Sequence, residues 1–526
     1  MSGGRCLAAP ATCFGGVLLH KRFRGALFAA LMISAPIAPA FSQEAGDPVA
    51  LAVQAAADGK LKPVYAARGF WPLWVKNGAL TPAADRLVAY LETAEIDGLD
   101  PRDYGVREVR EAVESARSGS PPALARAELR LSQALARYVR DVRRAPSGEV
   151  RFLDEELRPK RLTEADVFRA ASVAPDFTRY VETMGWMNPA YAGLREAAAA
   201  RKARWSSLPD TYVPEGPALK PGMAGERVGQ LRERLGLEPS GRYDLAVANS
   251  VRAFQAAHGL KPDGVAGPGT VAALNRGPGW YDRKLALNLD RARLLPGPGV
   301  RHIAVDTASQ QLVYFQDGAE AGRMRVVVGK AEEQTPMLAG VMRYAILNPY
   351  WNVPDDLAYR RVVSRVLGGA SLQRLGFEAL SGWDRDAQVL DPQAIDWRAV
   401  ADGAQRIRVR QLPGPGNAMG RVKFMFPNDL GIYLHDTNEP QLMQKTSRFF
   451  SSGCVRLEDA DQLGQWLFGR PLVAQSDTPE QHVPLPEPVP VYLTYLTAQP
   501  DGQGGVRFLD DVYGRDEPDP RQFASR

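Results

Sequence analysis

Gly431-Ile432-Tyr433-Leu434-His435-Asp436-Thr437 and Phe449-Phe450-Ser451-Ser452-Gly453-Cys454-Val455-Arg456-Leu457 are the two runs from which this chain is best read. The first is a short apolar strand that ends at a histidine. The second holds a cysteine nineteen residues further on. A thiol becomes a strong nucleophile when deprotonated, and an adjacent imidazole takes the proton. His435 and Cys454 supply this pair if the strand lies beside the segment holding the thiol. Gly453 lets backbone approach a substrate closely, and the amides around Gly453 and Cys454 are candidate donors to a developing oxyanion. In an extended segment Arg456 faces the same side as Cys454, where it would pair with a substrate carboxylate. The plain alternatives are an inert buried thiol and a histidine that only closes a strand.

The N-terminus explains why that thiol stands alone. His20-Lys21-Arg22-Phe23-Arg24 precedes an apolar stretch, Ala26 to Ile33, and then small residues with candidate cleavage sites at Ala38-Pro39-Ala40 or Ala40-Phe41-Ser42. This is the layout of a secretory signal over residues 1–42, the first nineteen of which read as an upstream extension. The apolar stretch is shorter than the roughly 20 residues a spanning helix needs, so an uncleaved inner-membrane anchor is the lesser alternative, and no later segment could span. Cys6 and Cys13 leave with the signal. A single thiol in an oxidising compartment cannot form an internal disulfide, and catalysis is the reason the neighbouring sequence offers for keeping it. Removing the signal also lowers the formal charge from +5 to +1. A near-neutral chain gives no electrostatic ground for a nucleic-acid partner. No CxxC, HExxH or histidine cluster accompanies the pair, so no metal or other cofactor is expected.

With 526 residues, 45% of them hydrophobic, two or three well-cored domains are expected. The reading is a multidomain α+β chain. Residues 48–205 carry recurrent amphipathic helices, with Leu87, Tyr90 and Leu91 marking one face. Trp71 and Trp74 there are core aromatics, a sugar-stacking platform being the minor alternative. A Pro-rich linker spans 206–218. Residues 219–276 form a compact unit of three short helices. In it Pro262-Asp263-Gly264 makes a turn, Gly267 follows, and Thr270 is placed to cap the last helix. Strand-like runs then dominate 284–500, interrupted by an insertion at 355–411, helical at first, that contains Trp383 and Trp397 and suits a lid. Residues 501–526 supply a closing strand, Val506-Arg507-Phe508, and a tail disordered at Glu517 to Arg521.

The three-helix unit resembles the peptidoglycan-binding domain found beside many cell-wall enzymes, on Phe254-Gln255, His258-Gly259-Leu260, Asp263-Gly264, Gly267 and Thr270. A structural spacer that has lost ligand binding is the alternative there. The stretch Gly420-Arg421-Val422-Lys423-Phe424-Met425-Phe426-Pro427-Asn428, then Ile432 to Thr437, then Ser451 to Arg456, resembles the L,D-transpeptidase family. It is most similar to the large periplasmic branch with a helical scaffold, which Asn348 to Pro354 and Phe508 to Asp516 also match. One departure is Ser452, where many members carry histidine, leaving His435 as the activating imidazole.

The resemblance implies a mainly-β catalytic domain with a capping subdomain and a role in wall biogenesis and cell shape from the periplasm. Its partners would be peptidoglycan stem peptides and glycan. Cys454 would attack the third residue of a donor tetrapeptide stem, release the terminal D-alanine and form a thioester. The third-residue amine of a neighbouring stem, diaminopimelate in a Gram-negative setting, would resolve it as a 3→3 cross-link. Tyr433 and Ser452 would orient substrate, and carbapenem-type inhibitors would acylate Cys454. Water, a free D-amino acid or a protein lysine could instead accept the acyl group, giving carboxypeptidase, exchange or protein attachment. A non-catalytic wall-binding scaffold is the alternative of another class.

Overall fold

The computed structural model describes residues 46–148, 150–382, 384 and 386–517; the signal region, Trp383 and 518–526 lie outside them. Helices α1 (Pro48–Ala56), α2 (Pro82–Glu92), α3 (Val106–Ala116) and α4 (Pro121–Val142) open the chain. Three of them begin on proline, whose fixed φ and missing N–H suit the first helical position. The long α4 buries Leu124, Leu131, Leu135, Val139 and Val142 along one face, the spacing that packs a helix onto a core. Two buried polar centres fix the packing. The Glu128 carboxylate accepts from the Leu73 and Trp74 amides at 2.7 and 2.9 Å and from the Tyr65 hydroxyl at 2.5 Å, while burial raises its pKa to about 7. Asp97 pairs with Arg195 at 3.0 Å and accepts from Tyr138 and Tyr191. Trp74 is fully enclosed and meets Phe177 edge-on, so it is a core residue and not a sugar platform.

β1 (Arg151–Phe152) leaves this region, followed by α5 (Glu164–Ser172) and α6 (Pro189–Trp205). The linker is not loose: Val213 is buried, and its backbone N–H and C=O both bond the Asn275 side chain. α7 (Glu226–Arg234), α8 (Leu245–Ala257) and α9 (Pro268–Asn275) make the small helical unit around Val228, Leu231, Val251 and Phe254. Thr270 lies inside α9, whose cap position is Gly267; the expected Thr270 cap is corrected, because its hydroxyl instead accepts from the Gln255 amide at 3.1 Å. The same Gln255 side chain donates to Asp263 and accepts from the Gly264 amide. Three of the four motif residues are thereby engaged in building the turn. α10 (Gly277–Ala292) returns to the first layer, where Leu285, Leu289 and Ala292 join the scaffold core.

The β-rich part follows: β2 (His302–Asp306), β3 (Gln311–Gln316), β4 (Ala319–Gly329), β5 (Leu338–Leu347), β6 (Trp351–Val353), β7 (Phe377–Leu380), β8 (Val389–Leu390), β9 (Arg408–Gln411), β10 (Val422–Met425), β11 (Leu434–His435), β12 (Phe449–Ser451), β13 (Val455–Leu457), α11 (Ala460–Phe468) and β14 (Gln481–Thr494). The main sheet runs β10-β11-β13-β4-β3-β2-β14-β5-β1. β10 also pairs with β5, so the sheet closes on itself and hides most of its edges. Val326, Val328, Phe424, Leu434, Val455 and Leu493 fill its interior. β1 extends this sheet from the helical layer by pairing in parallel with β5. The insertion is less helical than its sequence suggests. Its helices, over Asp355–Leu367 and Trp397–Ala401, pack on a four-stranded sheet ordered β8-β7-β9-β6. Trp397 packs against that core and bonds the Pro392 carbonyl.

β15 (Ala498–Pro500) and β16 (Val506–Phe508) form a separate hairpin. Ala498 and Val506 lie in the scaffold core, and a Cβ on Gly259 of the helical unit would come within 2.9 Å of the Arg507 Cα. The hairpin is therefore wedged between modules. Among the described residues no helix is long and apolar enough to cross a membrane. Asp97→Ala would strand the Arg195 guanidinium in the core. It is expected to cost about 3–5 kcal/mol, read as a lowered melting temperature.

Candidate active site

β11 and β13 lie side by side in parallel, with Leu434 opposite Val455 and His435 opposite Arg456. Side chains alternate along a strand. Leu434 and Val455 therefore point into the barrel core, and the flanking Tyr433, His435, Cys454 and Arg456 share the other face. Lys423 of β10, opposite His435, continues the row. The apolar run yields only two strand residues, because the Asn428 side chain gathers the preceding turn: its Oδ1 accepts from the Leu430 and Ile432 amides, and its Nδ2 donates to the Ile432 carbonyl.

His435 is buried, and its Nδ1 lies 2.6 Å from the Asp436 carbonyl. A carbonyl only accepts, so Nδ1 carries the proton and Nε2 is left as the base. Asp436 is itself seated by backbone: its amide bonds the Val422 carbonyl and its carboxylate accepts from the Arg421 amide. Gly420, with φ +62°, makes room for it, since a Cβ there would stand 2.5 Å from the Asp436 Cβ. Burial, then the Arg456 and Lys423 cations, hold the imidazole down to about 3, against the pull of the Asp436 and Met419 carbonyls.

Cys454 is the free thiol, half-buried, and its Sγ lies 3.2 Å from the Gly431 carbonyl. Burial raises its pKa to about 11 despite the Tyr433 amide and the Arg456 and Lys423 cations. Burial thus pushes both groups toward their uncharged forms, a thiol and a neutral imidazole. Tyr433 is half-buried beside them, pushed up to about 12 by burial and by Cys454.

The loop before the nucleophile is clamped from two sides. The Ser451 hydroxyl accepts the Gly453 amide at 3.2 Å and donates to the Cys454 carbonyl at 2.5 Å. Thr335 donates to the Gly453 carbonyl at 2.8 Å and accepts from the Gly329 amide. Gly453 has φ +108°, a region that L side chains rarely enter. Behind Thr335 stands Tyr513, whose hydroxyl donates to the Gly329 carbonyl at 2.6 Å, while the Arg515 guanidinium donates to the Thr335 carbonyl. Asp516 then ties this tail to Lys284 and Arg291 of α10 at 3.0 and 2.7 Å.

Two expectations change at this point. The Gly453 amide is already used by Ser451, so of the two candidate oxyanion donors the Cys454 amide is the one with no acceptor among the described residues. Arg456 is engaged as well, its Nη1 2.6 Å from the Glu439 carboxylate. Ser452 is exposed at the rim. Asp263, Gly264, Gly267 and Thr270 lie in the separate helical unit. The sequence reading missed Asp436, Ser451, Thr335, Tyr513, Lys423 and Glu439. Only Ser451, two residues before Gly453, carried a local signal.

Comparison with known proteins places the site within a stretch of known likeness. Residues 300–473 match the family described as the L,D-transpeptidase catalytic domain. The β-rich part of the chain is similar to an L,D-transpeptidase catalytic domain. Residues 59–197 match the scaffold domain family, and 226–274 the family described as "Putative peptidoglycan binding domain". A Haemophilus influenzae protein named "Putative L,D-transpeptidase" is 33% identical over 241 residues, 44% of this chain and 48% of that protein. The chain thus spans about half the length of this curated relative. Two solved structures also match. An L,D-transpeptidase from Xylanimonas cellulosilytica is 19% identical, covering 53% of this chain and 98% of its own, at a TM-score of 0.18. A fused Zn-dependent amidase/peptidase and peptidoglycan-binding protein from Clostridium acetobutylicum is 12% identical, covering 53% and 100%, at a TM-score of 0.15. Neither superposition is close enough to carry an argument. The L,D-transpeptidase match encloses β11, β13 and the Cys454 loop.

Two measurements probe this geometry. Iodoacetamide alkylation of Cys454 is expected to rise about tenfold per unit between pH 7 and 9, as thiolate appears below its raised pKa; a plateau already at pH 7 would mean a resting ion pair. Thr335→Val keeps the shape but loses the bond to Gly453. It also leaves the buried Gly329 amide unpaired, so it is expected to lower the melting temperature, at about 1–3 kcal/mol per orphaned group, and to slow carbapenem adduct formation on Cys454 by about ten- to a hundredfold, with Thr335→Ser restoring both.

Proposed function

We propose that this protein is a cysteine-dependent peptidoglycan L,D-transpeptidase. The observation that carries the reading is the parallel register of β11 and β13, which sets Cys454 and His435 on one face of an L,D-transpeptidase catalytic domain. The order of events follows from the two shifted groups. Substrate binding brings the donor carbonyl against Cys454. His435 Nε2 takes the thiol proton as sulfur bonds to the carbonyl carbon of stem residue three, because neither the free thiolate nor the imidazolium is stable beforehand. The Cys454 amide donates to the oxyanion. The bond to the terminal D-alanine then breaks, its nitrogen receives the proton from His435, and a thioester remains. The amine of a neighbouring third residue attacks the thioester and returns the proton to sulfur through His435, leaving a 3→3 cross-link. Arg456, held by Glu439, and the Lys423 ammonium, 3.3 Å from Glu480, supply positive charge that favours thiolate and disfavours imidazolium. Transfer to water, a D-amino acid or a protein lysine proceeds from the same thioester. The helical unit at 226–274 would hold peptidoglycan, and an exported, periplasmic setting follows from the substrate.

Incubation with a carbapenem is expected to add one inhibitor mass at Cys454, and Cys454→Ala to abolish both the adduct and every product. Incubation with a tetrapeptide stem is expected to give cross-linked dimers in mass spectra; tripeptides alone would make the protein a carboxypeptidase. Ser452→Ala is expected to keep most of the activity, since this side chain points to solvent at the rim. A dead Ser452→Ala variant would give Ser452 a role that this mechanism does not contain.

A further inference from the structure

On the scaffold, away from the thiol, a cleft of about 850 Å³ opens between α1, α4 and α5. This is the size of a small-ligand or short-peptide site. Arg126, Arg130, Gln133 and Arg137 line it from α4, spaced by four, three and four residues and so on one face of the helix. The stripe is about 16 Å long at the helical rise. Its arginines are unlike their neighbours. On α3 and at its C-cap, Arg107, Arg110 and Arg117 all meet carboxylates, and Arg140, one turn beyond Arg137, pairs with Glu164 at 2.6 Å. Arg126 and Arg137 have no hydrogen-bond or ion-pair partner among the described residues, and Arg130 makes neither but lies near enough to Glu108 of α3 to help lower its carboxyl, after that residue's own amide and Arg107. Of the two acids that line the cleft, Glu164 is also approached by Lys60 at 3.6 Å, and Asp58 is exposed on the turn after α1. Beneath the guanidinium groups the walls are small and apolar: Ala52 and Ala55 from α1, Ala125 and Leu129 from α4.

We infer that this cleft binds an acidic peptide with short aliphatic side chains, and specifically a stem peptide of the peptidoglycan strand, through Arg126, Arg130 and Arg137. Guanidinium forks pair with carboxylates. A stem with diaminopimelate at its third position carries a free carboxylate on each of residues two, three and four, and alanine methyls that suit an alanine-lined wall. The identity of the peptide rests on the proposed function; the anion specificity rests on the cleft alone. Holding one stem on the scaffold would keep the same polymer near the transpeptidase domain and raise the local concentration of its other stems there.

The test uses the full chain carrying Cys454→Ala, so that nothing is turned over. The probe is L-alanyl-γ-D-glutamyl-meso-diaminopimelyl-D-alanine whose N-terminal amine is acylated by a diazirine-bearing acid. After irradiation, peptide mapping is expected to find cross-links in residues 48–61 and 121–137. Half-saturation of those cross-links should weaken about tenfold in the Arg126→Gln/Arg130→Gln/Arg137→Gln variant, the size expected for losing three exposed charge pairs, and should weaken in raised salt. The carboxamide form of the probe should mark the cleft far less. An unchanged melting temperature establishes that the triple variant is folded. No cross-link in these segments, or one indifferent to the triple substitution or to amidation, overturns the inference. Carbapenem adduct formation on the unsubstituted protein is read separately: its failure would sink the enzyme reading and leave the cross-link result to decide the cleft.

Discussion

The site depends on one backbone pairing. β11 and β13 run parallel with His435 opposite Arg456, and a slip of a single residue would send Cys454 and His435 to opposite faces. What prevents the slip is the burial of Leu434 and Val455 between them, both fully enclosed in the barrel core. The catalytic register is therefore set by the apolar residues that alternate with the reactive ones. Closure of the sheet through β10 and β5 secures the arrangement from the far side.

The electrostatics of the pair runs against the usual picture of an activated cysteine. Burial raises the thiol and lowers the imidazole, so both are pushed toward their uncharged forms. A standing thiolate is the form of cysteine that oxidises, and burial works against it here. The Arg456 and Lys423 cations do not create the ion pair; they favour the sulfur anion once the proton has moved.

Much of this was legible in the sequence, and the reasons differ by element. The thiol, the imidazole and Gly453 could be read because they sit in short local motifs. The β-rich domain could be read from β-branched runs such as Arg323 to Val328. What could not be read lies far apart along the chain. Thr335 reaches Gly453 across 118 residues and Tyr513 reaches Gly329 across 184, and no local pattern announces either. The Arg456–Glu439 pair was hidden because an arginine two residues past a nucleophile reads equally well as a substrate anchor. The insertion looked helical since Leu357 to Val366 dominates its start, whereas its sheet is made of strands of two to four residues. Thr270 was mistaken for a cap because its hydroxyl partner, Gln255, lies on the preceding helix.

The wedged hairpin and the tail after it bear on the order in which the molecule is built. The segment 498–516 supplies Ala498 and Val506 to the first domain's core, and Tyr513 and Arg515 to the framework behind Thr335. A chain emerging from its N-terminus folds domain by domain, yet here neither the first domain nor the Cys454 loop has these contacts until residues 498–516 arrive. The surroundings of Cys454 are therefore completed only when residues 498–516 have folded back onto both domains.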